Sequence, residues 1–220
     1  MYKAIITQRE GKNQYGGKID SLEREYIDYF LKLGILSCPV SNYTKEISEV
    51  LDIVDPNLII LTGGGNLPEQ AFCYGHHEDQ QENRTQMESE LITAALCRQI
   101  PVLGICRGMQ YLNFYFGGKI DTKEADQYTR RIIAETHPAE SGGKRMLVNH
   151  YHKDSISSSA IAEGLLPIVM DEVNGTVEAF IHKKHLLLGI QWHPERKGCD
   201  ERADAWSREQ ILRLVERKLD

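Results

Sequence analysis

Pro101-Val102-Leu103-Gly104-Ile105-Cys106-Arg107-Gly108-Met109-Gln110 decides how this chain is read. Residues 101–105 are a short apolar run opened by a proline, the pattern of a buried strand. Met109 to Phe116 has the composition of the helix that follows. Cys106 stands at the junction. A nucleophile on a sharp strand-to-helix turn is exposed at the carboxyl edge of a sheet, and the positive end of the helix dipole favours its thiolate. Gly104 and Gly108 let such a turn close without side-chain clashes. A buried structural cysteine in an ordinary strand-turn-helix is the competing reading of this segment.

Two further segments supply what a thiol would need. Leu186-Leu187-Leu188-Gly189-Ile190-Gln191-Trp192-His193-Pro194-Glu195 is an apolar strand ending in a histidine and a carboxylate. A thiol needs a base to take its proton, and the base needs a partner to hold its tautomer. His193 and Glu195 are two apart and project to one side of an extended chain, while Pro194 stiffens the link. Leu58-Ile59-Ile60-Leu61 is another buried-strand run, followed by Thr62-Gly63-Gly64-Gly65-Asn66. Acyl transfer through a thiolate builds an oxyanion that needs preorganised N–H donors, and glycine lets backbone approach a substrate closely. The expected donors are the backbone N–H groups of Gly64 and Arg107. A flexible connector is the plainer reading of the glycines alone.

These three segments, in this order, resemble the class I glutamine amidotransferase fold over nearly the whole chain. Within that superfamily the chain is most similar to the stand-alone γ-glutamyl hydrolases, such as γ-glutamyl-γ-aminobutyrate hydrolase. Arg107 after the nucleophile, Arg84-Thr85-Gln86-Met87-Glu88, and Val148-Asn149-His150-Tyr151-His152 carry that similarity. His150 stands where the pattern usually has serine, and Asp154 where it often has glutamine. Both departures fall on the leaving-group side and spare the triad. The resemblance implies Cys106 as nucleophile, His193 as base and acid, and Glu195 as orienter, with Gln110 helping to bind the glutamyl α-carboxylate or amine. It places Arg84, Gly65, Asn149, His150, Tyr151 and His152 near the substrate. The implied activity is hydrolysis of a γ-glutamyl amide through a thioester, without a cofactor. The substrate would be a γ-glutamyl alkylamine or γ-glutamyl-CDP-amidate, a compound of capsule phosphoramidate synthesis. A glutaminase subunit feeding ammonia to a separate synthetase is the alternative.

At 220 residues the chain fits one domain, residues 1–220, with a sizeable core. Alternating strand and helix signals argue α/β with a mostly parallel sheet flanked by helices. A net charge of −6 argues against a nucleic-acid polymer as partner. The five cysteines are odd in number and lack metal-type spacing, as expected of free thiols in a reducing cytoplasm. No leader and no apolar run of membrane-spanning length is apparent. The partner expected is a small γ-glutamyl substrate, and no clear dimer patch indicates an oligomer.

Along the chain, residues 4–7, 35–40, 58–61, 167–170, 176–181 and 186–191 read as further strands, with Asn174-Gly175 as a hairpin turn. Residues 22–33, 44–51, 87–98 and 205–219 read as helices, the first capped by Asp20 or Ser21. Gln8 to Gly17 reads as a polar loop. Its Arg9, with Lys12 and Lys18, is either a solvated basic patch or a recognition element for an anionic leaving group. His76-His77-Glu78-Asp79 reads as solvated rather than metal-binding, and no metal site is expected. His150 and His152 alternate, on an edge strand or on a wall of the cleft. His137-Pro138 is a weaker candidate base than His193, and Arg84 is either a helix-start charge or a group near the site.

Overall fold

A computed structural model describes residues 1–73, 80–121 and 136–219. The runs that read as buried strands form the middle of one nine-stranded sheet. Strands β1 (Tyr2–Ile6), β4 (Ile35–Pro39), β5 (Leu58–Leu61), β6 (Val102–Ile105) and β11 (Leu187–Ile190) are parallel, in the order β4-β1-β5-β6-β11. Every residue of β5, β6 and β11 is buried, because both faces of this half are covered by helices, and that is why their sequences are continuously apolar rather than alternating. Beyond β11 the sheet continues antiparallel through β10 (Val177–His182), β9 (Leu165–Asp171), β7 (Thr136–Ser141) and β8 (Lys144–Asn149).

Side chains alternate between two cores along the strands. Ala4, Ile6 and Leu58 pack with Tyr26 and Phe30 of α1 (Arg24–Lys32) and with Ile211 and Leu214 of α5 (Glu201–Val215). Ile5, Ile59 and Val102 face α2 (Ile47–Val54), α3 (Glu82–Cys97) and α4 (Arg107–Tyr115). The result is a three-layer α/β/α domain. No described helix is long and apolar enough to cross a membrane.

Three segments differ from the sequence reading. Gln8 to Gly17 is not an open loop: β2 (Arg9–Lys12) pairs with β3 (Lys18–Ser21) in a separate two-stranded sheet. Its strands lack an apolar alternation and are held by main-chain pairing and by Gln81, whose Oε1 accepts from Glu10 N at 2.7 Å. The first helix starts at Arg24, with Glu23 at its N-cap. Asp20 is not its cap because its carboxylate is engaged elsewhere, accepting from Ser41 Oγ, Asn42 N and Asn42 Nδ2. Residues 136–149 form the β7–β8 hairpin, which the sequence reading does not mark. Residues 122–135, like His76-His77-Glu78-Asp79, lie outside the described residues. Asn174-Gly175 does turn the chain between β9 and β10, with Asp171 accepting from Val173 N and Asn174 N.

Candidate active site

The carboxyl ends of β5, β6 and β11 are neighbours in the sheet, so the residues that follow each strand converge on one edge. After β6, Cys106 adopts φ 52°, ψ −107° and α4 begins at the next residue. Positive φ in a non-glycine residue is strained and needs its surroundings to enforce it. Cys106 N donates to Ile190 O at 2.8 Å and Cys106 O accepts from Gln110 N at 3.0 Å, which fixes both sides of the turn. Gly108 packs directly on the Leu61 carbonyl, where a Cβ would collide with the main chain. Cys106 is 8% exposed.

After β11, His193 enters from the neighbouring strand. Its Nδ1 lies 2.6 Å from Glu195 Oε1, and its ring hydrogen-bonds Cys106. Burial acts to lower the imidazole pKa, but the Cys106 charge, hydrogen bonds to Cys106 and Glu195, and the Glu195 charge outweigh it and push it up to about 10. Asn149, at the end of β8, holds the histidine backbone from both directions: Oδ1 accepts from His193 N at 2.9 Å and Nδ2 donates to His193 O at 2.8 Å. The Tyr26 hydroxyl stands 3.5 Å from His193 Nδ1 and accepts from Gly63 N at 3.0 Å. Gly63 N–H is thereby occupied, and Gly64, at φ +80°, is the next amide in the loop.

Beneath the turn lies a fully buried ionic network. Glu88 on α3 accepts from Thr7 Oγ1 at 2.7 Å, Arg84 Nε at 2.8 Å and Arg107 Nη1 at 2.6 Å. Arg84 also donates to the Thr62, Gly63 and Gly64 carbonyls, and Arg107 Nη2 donates to Thr85 Oγ1. One carboxylate thus ties the glycine loop to the elbow. Burial would raise the Glu88 pKa, but Arg107 and Arg84 hold it below the ordinary value. Burial lowers Arg84 to about 10, against the Glu88 charge.

A cleft of about 550 Å³ opens above Cys106. Arg9, Gly64, Gly65, Cys106, Arg107, Gln110, Tyr151, His152 and His193 all line it. Gln110 Nε2 donates to Asp154 O at 3.0 Å and to Gln191 Oε1 at 3.2 Å. Arg84, Asn149, His150 and Glu195 stand behind the wall. Arg84 and Asn149 contact the glycine loop and His193, and the buried His150 ring stands edge-on to His137 with centroids 5.4 Å apart. Sequence reasoning missed Tyr26, Glu23 and Arg196 at this site. Tyr26 sits at a core position of an amphipathic helix, and nothing in that spacing marks its hydroxyl. Arg196 stacks over the Tyr151 ring at 4.6 Å and forks onto Glu23, a contact between residues 173 apart in the chain.

The Peptidase C26 family model matches residues 4–195. The glutamine amidotransferase-like protein YvdE of Lactococcus lactis is 30% identical over 202 residues, covering 81% of this chain and 82% of that protein. The γ-glutamyl-CDP-amidate hydrolase of Campylobacter jejuni is 30% identical over 139 residues, with 63% of this chain and 62% of that protein covered. A Thermotoga maritima structure described as a glutamine amidotransferase superposes with TM-score 0.61 at 18% identity over 100% of this chain and 86% of that one; it shares the fold. The fold and these matches define a glutamine amidotransferase-like protein. The chain belongs to the Peptidase C26 family.

Proposed function

We propose that this protein is a cysteine hydrolase of γ-glutamyl amides. The observation that carries the reading is the convergence of Cys106 and His193 on one cleft, with Glu195 2.6 Å behind the histidine ring. Glu195 fixes the Nδ1–H tautomer and leaves Nε2 for the thiol. The Cys106 sulfur attacks the γ-carbonyl, and the N–H groups of Gly64 and Arg107 receive the oxyanion. His193 protonates the leaving nitrogen, which departs as the free amine or amide. It then takes a proton from water, whose oxygen attacks the thioester carbonyl. Collapse releases glutamate and returns the proton to sulfur.

Arg9, Lys153 and Arg196 on the cleft wall, and the similarity to γ-glutamyl-CDP-amidate hydrolase over 139 residues, support an anionic leaving group such as a cytidine diphosphate amidate over a plain alkylamine. The glutamyl α-carboxylate or amine is read at Gln110 and Gly65, with Tyr151 and His152 forming the opposite wall. Arg84 and Asn149 act by positioning the loop and His193. The free state of all five cysteines supports a reducing, cytoplasmic setting.

The test is glutamate release by the purified chain from free glutamine, γ-glutamyl-γ-aminobutyrate and γ-glutamyl-CDP-amidate. The expected result is turnover of a γ-glutamyl conjugate, preferentially the CDP-amidate, and its abolition in folded Cys106→Ala. Glutamine as the sole substrate, or silence until a synthetase is added, would make this an ammonia-supplying subunit. Turnover undiminished in Cys106→Ala would remove the mechanism.

A further inference from the structure

A second buried cluster lies in the antiparallel half of the sheet, and the chemistry above makes no use of it. His137 on β7, Asp171 at the end of β9 and Glu178 on β10 are all no more than 2% exposed. They each offer one donor atom, and these three atoms lie within 4.8 Å of one another. His137 Nε2 is 3.4 Å from Glu178 Oε1 and 3.8 Å from Asp171 Oδ2. Beside them, the His150 and His152 rings are 4.2 Å apart, and His152 lies 6.4 Å from His137 between centroids.

The polar atoms of this cluster are poorly matched to each other. Among the described residues, both nitrogens of His137, both oxygens of Glu178 and Nε2 of His152 lack a hydrogen-bond partner. Unsatisfied buried polar atoms are rare, and several in contact call for an explanation. One shared proton between His137 and Glu178 would satisfy a single pair. A cation would engage one nitrogen of His137, one oxygen of Glu178 and one oxygen of Asp171 together. The spacing of these three fits: ligands about 2.0–2.1 Å from a tetrahedral Zn²⁺ are separated by roughly 3.3 Å. The supporting contacts fit as well. The Asp171 carboxylate is oriented by Val173 N, Asn174 N and Asn174 Nδ2. Histidine and carboxylate ligands are characteristically held by such outer contacts.

We propose that His137, Asp171 and Glu178 form a structural site for one divalent first-row transition ion of the Zn²⁺ type. The ion pins β7, β9 and β10 to one another. None of the three ligands lines the cleft, and the site takes no part in the chemistry there.

The experiment uses the full-length Cys106→Ala chain, so that the active-site thiol cannot bind the metal. The protein is stripped with a chelator and titrated with Co²⁺ and Zn²⁺. The expected result is one ion per chain, weak visible Co²⁺ ligand-field bands without a thiolate charge-transfer band, and a rise in melting temperature. Glu178→Gln and, separately, His137→Asn are expected to weaken binding at least about 10–100-fold, the scale at which even outer-shell changes act. Absence of stoichiometric binding, a thiolate band, or equal affinity in the folded variants would overturn the proposal. Should both variants fail to fold, the Co²⁺ spectrum and stoichiometry of the Cys106→Ala chain still decide it.

Discussion

Two buried ionic clusters occupy the two halves of one sheet, and they are finished to different degrees. In the parallel half, Glu88 accepts from Thr7, Arg84 and Arg107, and the two guanidiniums go on to hold the glycine loop and α3. In the antiparallel half, Glu178 and His137 are equally buried but their polar atoms lack hydrogen-bond partners among the described residues. A buried polar network is costly unless its members are satisfied. The first cluster has the character of a completed brace between the Cys106 turn and the glycine loop. The second has the character of a ligand set.

The largest effect should follow from breaking the completed brace. Glu88→Ala leaves Arg84 and Arg107 facing each other without their carboxylate, and denaturant unfolding should show a loss of about 3–5 kcal/mol. Unchanged stability would mean that the network is not the brace its contacts describe. Asn149→Ala tests the link between the halves. It strips partners from the buried N–H and C=O of His193, and a cost of about 1–3 kcal/mol is expected together with a fall in kcat. A normal kcat would show that Pro194 and Glu195 suffice to place the histidine.

A pH series sharpens the contrast. The carboxyl of Glu88 is held below its ordinary value: its burial opposes ionisation, and Arg107 and Arg84 more than offset that. Its contribution is therefore present above the unfolded carboxylate value, near 4.3, and is lost as pH falls through the lower folded value. Chemical denaturation between neutral pH and strong acid should show that acid limb in the wild type and a flatter one in Glu88→Gln. The smallest effect is expected for Glu178→Gln in metal-free protein, under about 1 kcal/mol, since no described hydrogen bond is lost. The same change should cut the stabilisation of about 2.7 kcal/mol that Zn²⁺ at a hundred times its Kd would give the wild type to about 1.4 kcal/mol or less at the same Zn²⁺ concentration. A large metal-free loss would instead assign Glu178 a direct packing or charge role.

The parallel half of the molecule was legible in sequence because its signals are local. Leu58–Leu61, Val102–Ile105 and Leu187–Ile190 announce themselves as continuous apolar runs, and Cys106, the glycines and His193 follow directly on them. The elbow needs glycine at 108 for a steric reason that its position already suggests. The antiparallel half was legible only in part. Asn174-Gly175 fixes one hairpin, but His137, Asp171 and Glu178 meet through strand order β10-β9-β7, which no spacing in the chain encodes. Local spacing raises the question of a metal only at His76-His77-Glu78-Asp79, which reads as solvated, and is silent on this set. Arg84 and Asn149 were marked as residues near the substrate. Their hydrogen bonds run to the glycine loop and to His193, and only the folded geometry separates a residue that touches the cleft from one that holds its wall.

The most direct test of the central claim is to look for the covalent intermediate. Purified protein mixed with a γ-glutamyl substrate and quenched rapidly in acid should carry a γ-glutamyl thioester on the peptide containing Cys106. Peptide mass spectrometry should find it on none of the other four cysteines, and a His193→Ala chain should yield little or none. Turnover with no adduct on Cys106 at any quench time, or an adduct on another cysteine, would contradict the account.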